Sequence, residues 1–221
     1  MSQSSEHAAE AGLDAAARAR IDAAIAAAER GTGAEIVVAV ARKSGRYLHV
    51  VYEAGLVGAL VALAVYSAVY WFRYANWPVA AVDVFLGVAA LGFVAGALAA
   101  RSDSVARFFA GENVMLDACE RTARDVFAAH DVRRTKERNG VLLYVGLFEH
   151  MVFVQGDEAV TAALPADAYR ETVEAVIAKL RVGRIEEGVI EGVERLGKLL
   201  APAFPRRADD VNELPDRAYF V

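Results

Sequence analysis

Asp157 and Glu158 stand directly behind an apolar run that ends Val154-Gln155-Gly156. If that run is a strand of an α/β sheet, the two carboxylates lie at its C-terminal edge, where such sheets bind ligands. A second group of acids closes the chain in Pro205-Arg206-Arg207-Ala208-Asp209-Asp210-Val211-Asn212-Glu213-Leu214-Pro215-Asp216. A proline-bracketed loop this rich in oxygen donors has the composition for a hard cation, Ca²⁺ or Mg²⁺. The candidate metal ligands are Asp157, Asp209, Asp210, Glu213 and Asp216. Plain solvation of loop acids is the competing reading, because the spacing is not that of an EF-hand.

Other chemistry finds little support. Gly31-Thr32-Gly33 follows a helical pattern and precedes a strand, the reverse of the order a phosphate loop needs. His7, His49, His130 and His150 share no metal-ligand spacing and read as surface residues. Cys119 is the one cysteine, so no internal disulfide or cysteine-rich metal site can form. It sits on an apolar helical stripe and is expected to be a buried, inert thiol. No nucleophile elbow occurs, and no catalytic residue is assigned.

The elements that must position these groups begin with a split in composition. Of the 221 residues, 56% are hydrophobic and 24% charged, with a mean hydropathy of +0.29. That average is high for an ordinary charged fraction, so the apolar excess is concentrated in one place. Against 29 acidic residues stand 24 basic ones, a net charge of −5 that argues against a nucleic-acid partner.

Ala54 to Phe72 carries no charge and would span about 29 Å as a helix, close to a hydrocarbon core of about 30 Å. Tyr74 to Ala100 carries only Asp83. The two stretches predict a transmembrane helical hairpin over 50–100, with the lipid bilayer as its partner. Tyr70, Trp71, Tyr74 and Trp77 supply the aromatic residues of a membrane boundary. Arg42, Lys43, Arg46, Arg101 and Arg107 flank the open end, whereas the connecting turn offers Arg73. The positive-inside rule then predicts a bacterial inner-membrane protein with two spans and a cytoplasmic soluble domain. The first 30 residues show no signal-peptide core, which agrees.

The flanking sequence reads as one α/β domain, 13–49 plus 101–221, behind a polar tail over 1–12. Leu13 to Arg30 places Leu13, Ala17, Ile21, Ile25 and Ala28 on one helical face. Glu-Ile-Val-Val-Ala-Val-Ala, from Glu35 to Ala41, is apolar on both faces, the pattern of a strand covered on both sides. Glu112 to Val132 is a second amphipathic helix. Gly140 to Val145 and Met151 to Gln155 form a strand hairpin. Helices over Ala166 to Arg181 and Ile185 to Leu200 follow, giving an α/β sandwich interrupted by the membrane insertion.

This sequence resembles the TPM-domain family, which includes a plant thylakoid-lumen protein of photosystem II repair and many bacterial membrane proteins. The likeness rests on Thr32-Gly33-Ala34-Glu35-Ile36-Val37-Val38 and on Arg138-Asn139-Gly140-Val141-Leu142-Leu143-Tyr144-Val145. It continues in a second strand ending Gly156-Asp157, in Leu180-Arg181-Val182-Gly183 between two helices, and in the ending Asn212-Glu213-Leu214-Pro215-Asp216. The resemblance implies a small α/β/α sandwich, and either weak acid phosphatase activity or divalent-metal binding by acids at the sheet edge. Asp157 is the position it matches.

Three functions follow as expectations. The first is a membrane-tethered binding or quality-control module with a protein partner at the membrane face. The second is a weak, metal-assisted phosphatase built on Asp157 and the tail acids. The third, ranked last, is a channel or proton path through Glu53 and Asp83.

Overall fold

The structure, a computed structural model, describes residues 12–74, 82–207 and 212–221. It divides into two compact units: Met1–Ser44 with Leu116–Val221, and Gly45–Met115.

The first unit is built on a four-stranded mixed sheet in the order β3-β2-β1-β4. Central β1 (Glu35–Ala41) runs parallel to β2 (Gly140–Gly146) on one side and to the short β4 (Ala218–Phe220) on the other. β3 (Met151–Gly156) pairs antiparallel with β2 and forms an edge. Alternation along β1 sends Ile36, Val38 and Val40 to one face and Val37, Ala39 and Ala41 to the other, and all are buried. That double burial explains a continuous apolar strand in place of an alternating one.

The first face is covered by three helices: α1 (Ala15–Glu29), with Ile21 and Ile25, and a pair near the C-terminus. Asp14 caps α1 by accepting from the Ala17 N–H at 2.6 Å. The second face is covered by the Cys119, Ala123, Val126 and Phe127 stripe of the helix over Glu112–Ala129. The sequence expectation of a covered α/β sheet therefore holds. Three elements went unpredicted: β4, a helix over Asp103–Ala110 and a helix over Glu158–Ala163.

The second unit contains α2 (Leu48–Tyr74) and α3 (Val82–Ala99), which pack antiparallel through small residues. Gly58 lies against Gly92 and Gly96, and Gly96 against Ala54 and Gly55. Next comes α4 (Asp103–Ala110), which is also packed on α2, and α5 (Glu112–Ala129) begins after Gly111. By length and composition, Leu48–Phe72 is the one described helix that could cross a membrane by itself. Val84–Ala99 meets the same criterion only together with Asp103–Ala110, which is bent 102° away. The described residues thus hold an antiparallel helix pair over this stretch, with one helix, Leu48–Phe72, long and apolar enough to cross a membrane by itself. The expected turn residue Trp77 lies outside the described residues.

At the carboxyl ends of β1 and β2, Ser44 closes the first unit's core. Its N–H donates to Glu149 Oε1 at 2.8 Å, and its Oγ pairs with Tyr144 OH at 2.7 Å and Glu149 Oε2 at 3.1 Å. The Cys119 thiol donates to the same Oγ at 3.2 Å. Burial pushes that thiol up to about 12, so it is unreactive at neutral pH, as the sequence suggested.

Candidate functional site

The remaining part of the first unit adds α6 (Glu158–Ala163), α7 (Arg170–Arg181) and α8 (Ile185–Leu200). The chain from β3 into α6 and on to α7 builds the candidate site.

β3 reads Met-Val-Phe-Val-Gln-Gly, without a charge or a proline. Asp157 N–H donates to Gly140 O at 2.8 Å, which sets the hydrogen-bonding phase of the β2–β3 ladder. In that phase Met151, Phe153 and Gln155 face β2, whereas the backbone groups of Val152, Val154 and Gly156 point away from it. The Gly156 carbonyl is met by Thr161 Oγ1 at 3.1 Å. No described strand pairs with the outer edge at Val152 and Val154.

Beside this edge runs a cleft of about 380 Å³ lined by Val152, Phe153, Val154, Leu164, Tyr169 and Val173. Tyr169 belongs to a 3₁₀ turn over Ala166–Tyr169 that leads into α7. It is 8% exposed, and its hydroxyl is buried with no hydrogen-bond partner among the described residues. Burial raises its pKa, which keeps it a neutral donor.

Past Gln155 and Gly156 a second cleft of about 630 Å³ opens, lined by Phe127, Arg133, Arg138, Asp157, Glu158 and Thr161. Asp157 is 6% exposed, and its Oδ2 lies 3.6 Å from Arg138 Nη1 without a hydrogen bond. Arg138 holds a left-handed backbone at φ 53°, and the Arg133 guanidinium lies 5.5 Å from the Phe127 ring centre. The cleft thus sets the Asp157 carboxylate and the side chains of Arg133 and Arg138 along one wall.

Placement of Asp157 corrects the sequence reading in one respect. Because β3 is antiparallel, its C-terminal end lies beside Gly140, at the amino end of β1 and β2. Asp157 is in a cleft, and that cleft is at the opposite sheet edge from the one expected of a parallel strand.

The tail acids go elsewhere. Glu213 Oε1 lies 3.6 Å from Lys136 Nζ, and the N–H groups of Glu213 and Leu214 donate to Glu35 at 3.2 Å each. Asp216 accepts from Asn212 and lines a cavity of about 110 Å³ with Glu29, Glu35, Arg30 and Arg206. Glu29 Oε1 accepts from Ile36 N–H at 2.8 Å, and its Oε2 is buried without a partner among the described residues. Burial first, and then the facing Asp216 and Glu35 carboxylates, push Glu29 up to about 9. Asp209 and Asp210 lie outside the described residues. Among the described residues no three His, Cys, Asp or Glu side chains converge as a metal ion requires; Asp157 lines one cleft and Asp216 another.

Sequence reasoning missed Tyr169, Arg133, Glu29 and Glu35. Of these only Glu35 gave a local signal, as a charge at the head of an otherwise apolar strand.

Three comparisons bear on this fold. No curated protein matches the chain. The NMR structure of BA42 protein from the psychrophilic bacterium Bizionia argentinensis is similar, with a TM-score of 0.54, 21% identity and 94% of each chain covered. That likeness speaks for the fold. Residues 105–199, which hold β2, β3, α6, α7 and nearly all of α8, match the family model described as TPM domain.

Proposed function

We propose that this protein is a membrane-anchored binding module, with α2 and α3 as the anchor and the free edge of β3 as the receptor for an extended polypeptide. The observation that carries this reading is the buried, partnerless Tyr169 hydroxyl beside an unpaired edge strand. Proteins normally blunt such an edge with charge, proline or a bulge, and Met151–Gly156 has neither charge nor proline. An added peptide strand would pair with the outward groups of Val152 and Val154, and the Tyr169 hydroxyl, buried in the unbound protein, would turn toward the cleft to donate to one of its carbonyls. An exposed backbone with apolar side chains is what a quality-control module meets in an unassembled or cleaved membrane protein.

Membrane anchoring is supported by the outward apolar surface of α2, where Leu56, Leu60, Val61, Val65 and Val69 are exposed. The basic residues Arg46, Arg101 and Arg107 favour a cytoplasmic soluble unit in a bacterial inner membrane.

The test uses the full chain in lipid nanodiscs and an array of random decapeptides, with amide exchange as the site-specific readout. Bound peptides should slow exchange at Val152 and Val154. Tyr169→Phe should weaken binding about tenfold, the loss of roughly 1.4 kcal/mol. Because it removes an orphan buried hydroxyl, it should leave thermal stability unchanged or raise it by up to about 1 kcal/mol. Peptides that bind equally well to Tyr169→Phe, or protection confined to another element, would overturn this reading.

A second reading, weak phosphatase activity, is favoured by Asp157 Oδ2 beside Arg138. In that reading Arg133 and Arg138 hold a phosphoryl group and the Asp157 carboxylate accepts a proton from the attacking water. The described donors do not fit a bound metal ion, so no metal-assisted step is derived. Hydrolysis of p-nitrophenyl phosphate by the full chain should then fall at least tenfold in Asp157→Asn, with or without added Ca²⁺ or Mg²⁺. Equal turnover in the two proteins would exclude the cleft as its source.

A further inference from the structure

Gly58 meets Gly92 and Gly96, and Gly96 meets Ala54, so α2 and α3 run antiparallel. The start of α2 and the end of α3 therefore lie at the same end of the helix pair. At that end the chain turns by 102° into α4, nearly perpendicular to the axis of α3. A helix perpendicular to a spanning helix runs in the plane of the membrane surface.

α4 reads Asp-Ser-Val-Ala-Arg-Phe-Phe-Ala. Ala106 and Ala110 are buried, whereas Phe108 is 82% exposed on the other side of the helix. Phe109 meets Phe108 edge to face, with ring centres 5.3 Å apart. The same end of the pair presents Leu48, 71% exposed, and Tyr52, 68% exposed. An outward Phe, Leu and Tyr grouped where a spanning segment ends is the arrangement of a lipid–water boundary, and the group continues the exposed apolar surface of α2.

We infer that α4 is an interfacial foot: it lies flat in the bilayer's headgroup layer, and Phe108 enters the acyl boundary beside Leu48 and Tyr52. The inference rests on the membrane-anchored reading and adds a second, shallow contact to it. Within this unit the charges around this end, Arg46, Arg101 and Arg107 against Glu53, Asp103 and Glu112, cancel. Insertion of apolar side chains therefore drives the contact, and it should not depend on anionic lipid.

The test places one tryptophan in the full chain after Trp71→Phe and Trp77→Phe. Phe108→Trp probes the foot and Leu60→Trp the middle of α2. The proteins are reconstituted in phosphatidylcholine vesicles whose lipids carry bromine at a shallow or a deep acyl position. The expected result is deep quenching of Leu60→Trp, together with blue-shifted, shallow quenching of Phe108→Trp that is unchanged when phosphatidylglycerol is added. If Leu60→Trp is quenched but Phe108→Trp emits as in water and responds to iodide, the foot is overturned and the anchor stands. If Phe108→Trp is shielded from both iodide and bromolipid, protein covers it, a second copy for example, and the foot is again overturned. If Leu60→Trp is unquenched by either lipid, the anchor fails and the foot fails with it.

Discussion

Gly96→Ala should destabilise the α2–α3 pair, while Gly87→Ala, on the same helix, should stabilise it. Both substitutions add one methyl group and relieve the helix of a glycine, a gain of about 1 kcal/mol in a helix interior. They differ in what the methyl meets. At Gly87 a Cβ finds nothing within 4 Å. At Gly96 it would lie closer than 3.0 Å to the backbone carbonyl of Ala54, and at Gly58 equally close to the carbonyl of Gly92. A backbone carbonyl cannot rotate away as the end of a flexible side chain can, so the two helices must separate. Overpacking of this kind costs about 1–3 kcal/mol, enough to outweigh the propensity gain.

Close approach through small residues is also how helices associate where lipid removes the hydrophobic incentive to pair. Gly58→Ala with Gly96→Ala should therefore cost less than the sum of the two, since the first substitution has already parted the helices. Unfolding of the full chain in mixed micelles, followed by circular dichroism, measures all four proteins. Equal stabilisation by Gly87→Ala and Gly96→Ala would mean that the helices do not pack through this face.

The sheet was legible in the sequence where its determinants are local. Glu35–Ala41 is apolar on both faces, and that pattern has one economical explanation, a strand between two layers. The hairpin of β2 and β3 was equally legible, and it carried a consequence for the site. Strands joined through Leu147-Phe148-Glu149-His150 must be antiparallel, so Asp157 had to fall at the amino end of β2 and not at the ligand-binding edge of a parallel strand.

What stayed hidden is long-range. Ala218–Phe220 is too short for any periodicity to reveal, and it becomes a strand because Ala218 N–H donates to Asp22 Oδ1 at 2.8 Å and the backbone pairs with β1. Tyr169 reads as one more aromatic residue at the start of a helix until the edge of β3 is placed beside it. Asp157 and the tail acids lie far apart in the sequence, and no local pattern tells whether they meet in space. Asp157 went to one cleft, while Glu213 and Asp216 went to the head of β1, where Glu29 and Glu35 were already waiting.

Glu29 gives the second large expected effect. In sequence it is the next-to-last residue of an amphipathic helix that ends at Arg30, and would pass for a solvated acid. In the fold its Oε2 is buried, and it faces Glu35 from β1 and Asp216 from the tail, with Arg30 and Arg206 on the same cavity. The cations do not offset burial and the two acids, and the carboxyl is held protonated up to about pH 9. A proton on Oε2 also supplies the missing donor, directed toward Asp216. In the unfolded chain the same group releases its proton near its ordinary value of 4.5.

Between those two values the folded protein binds more protons than the unfolded one, so stability must fall as pH rises through the window. The contribution is complete below about 4.5 and gone above about 9. One pKa unit corresponds to about 1.4 kcal/mol, but water reaches part of this cavity, so the loss should be about 2–3 kcal/mol and not the full product. Glu29→Gln keeps an acceptor for Ile36 N–H and offers Asp216 a permanent donor, so it should flatten the curve. Melting temperature measured every half unit from about pH 5 to about pH 9 decides the matter. The two proteins should agree at the acid end and diverge steadily toward the alkaline end, with Glu29→Gln the more stable. Parallel curves would show that Glu29 is ionised in the fold and that the cavity at the head of β1 is open to water.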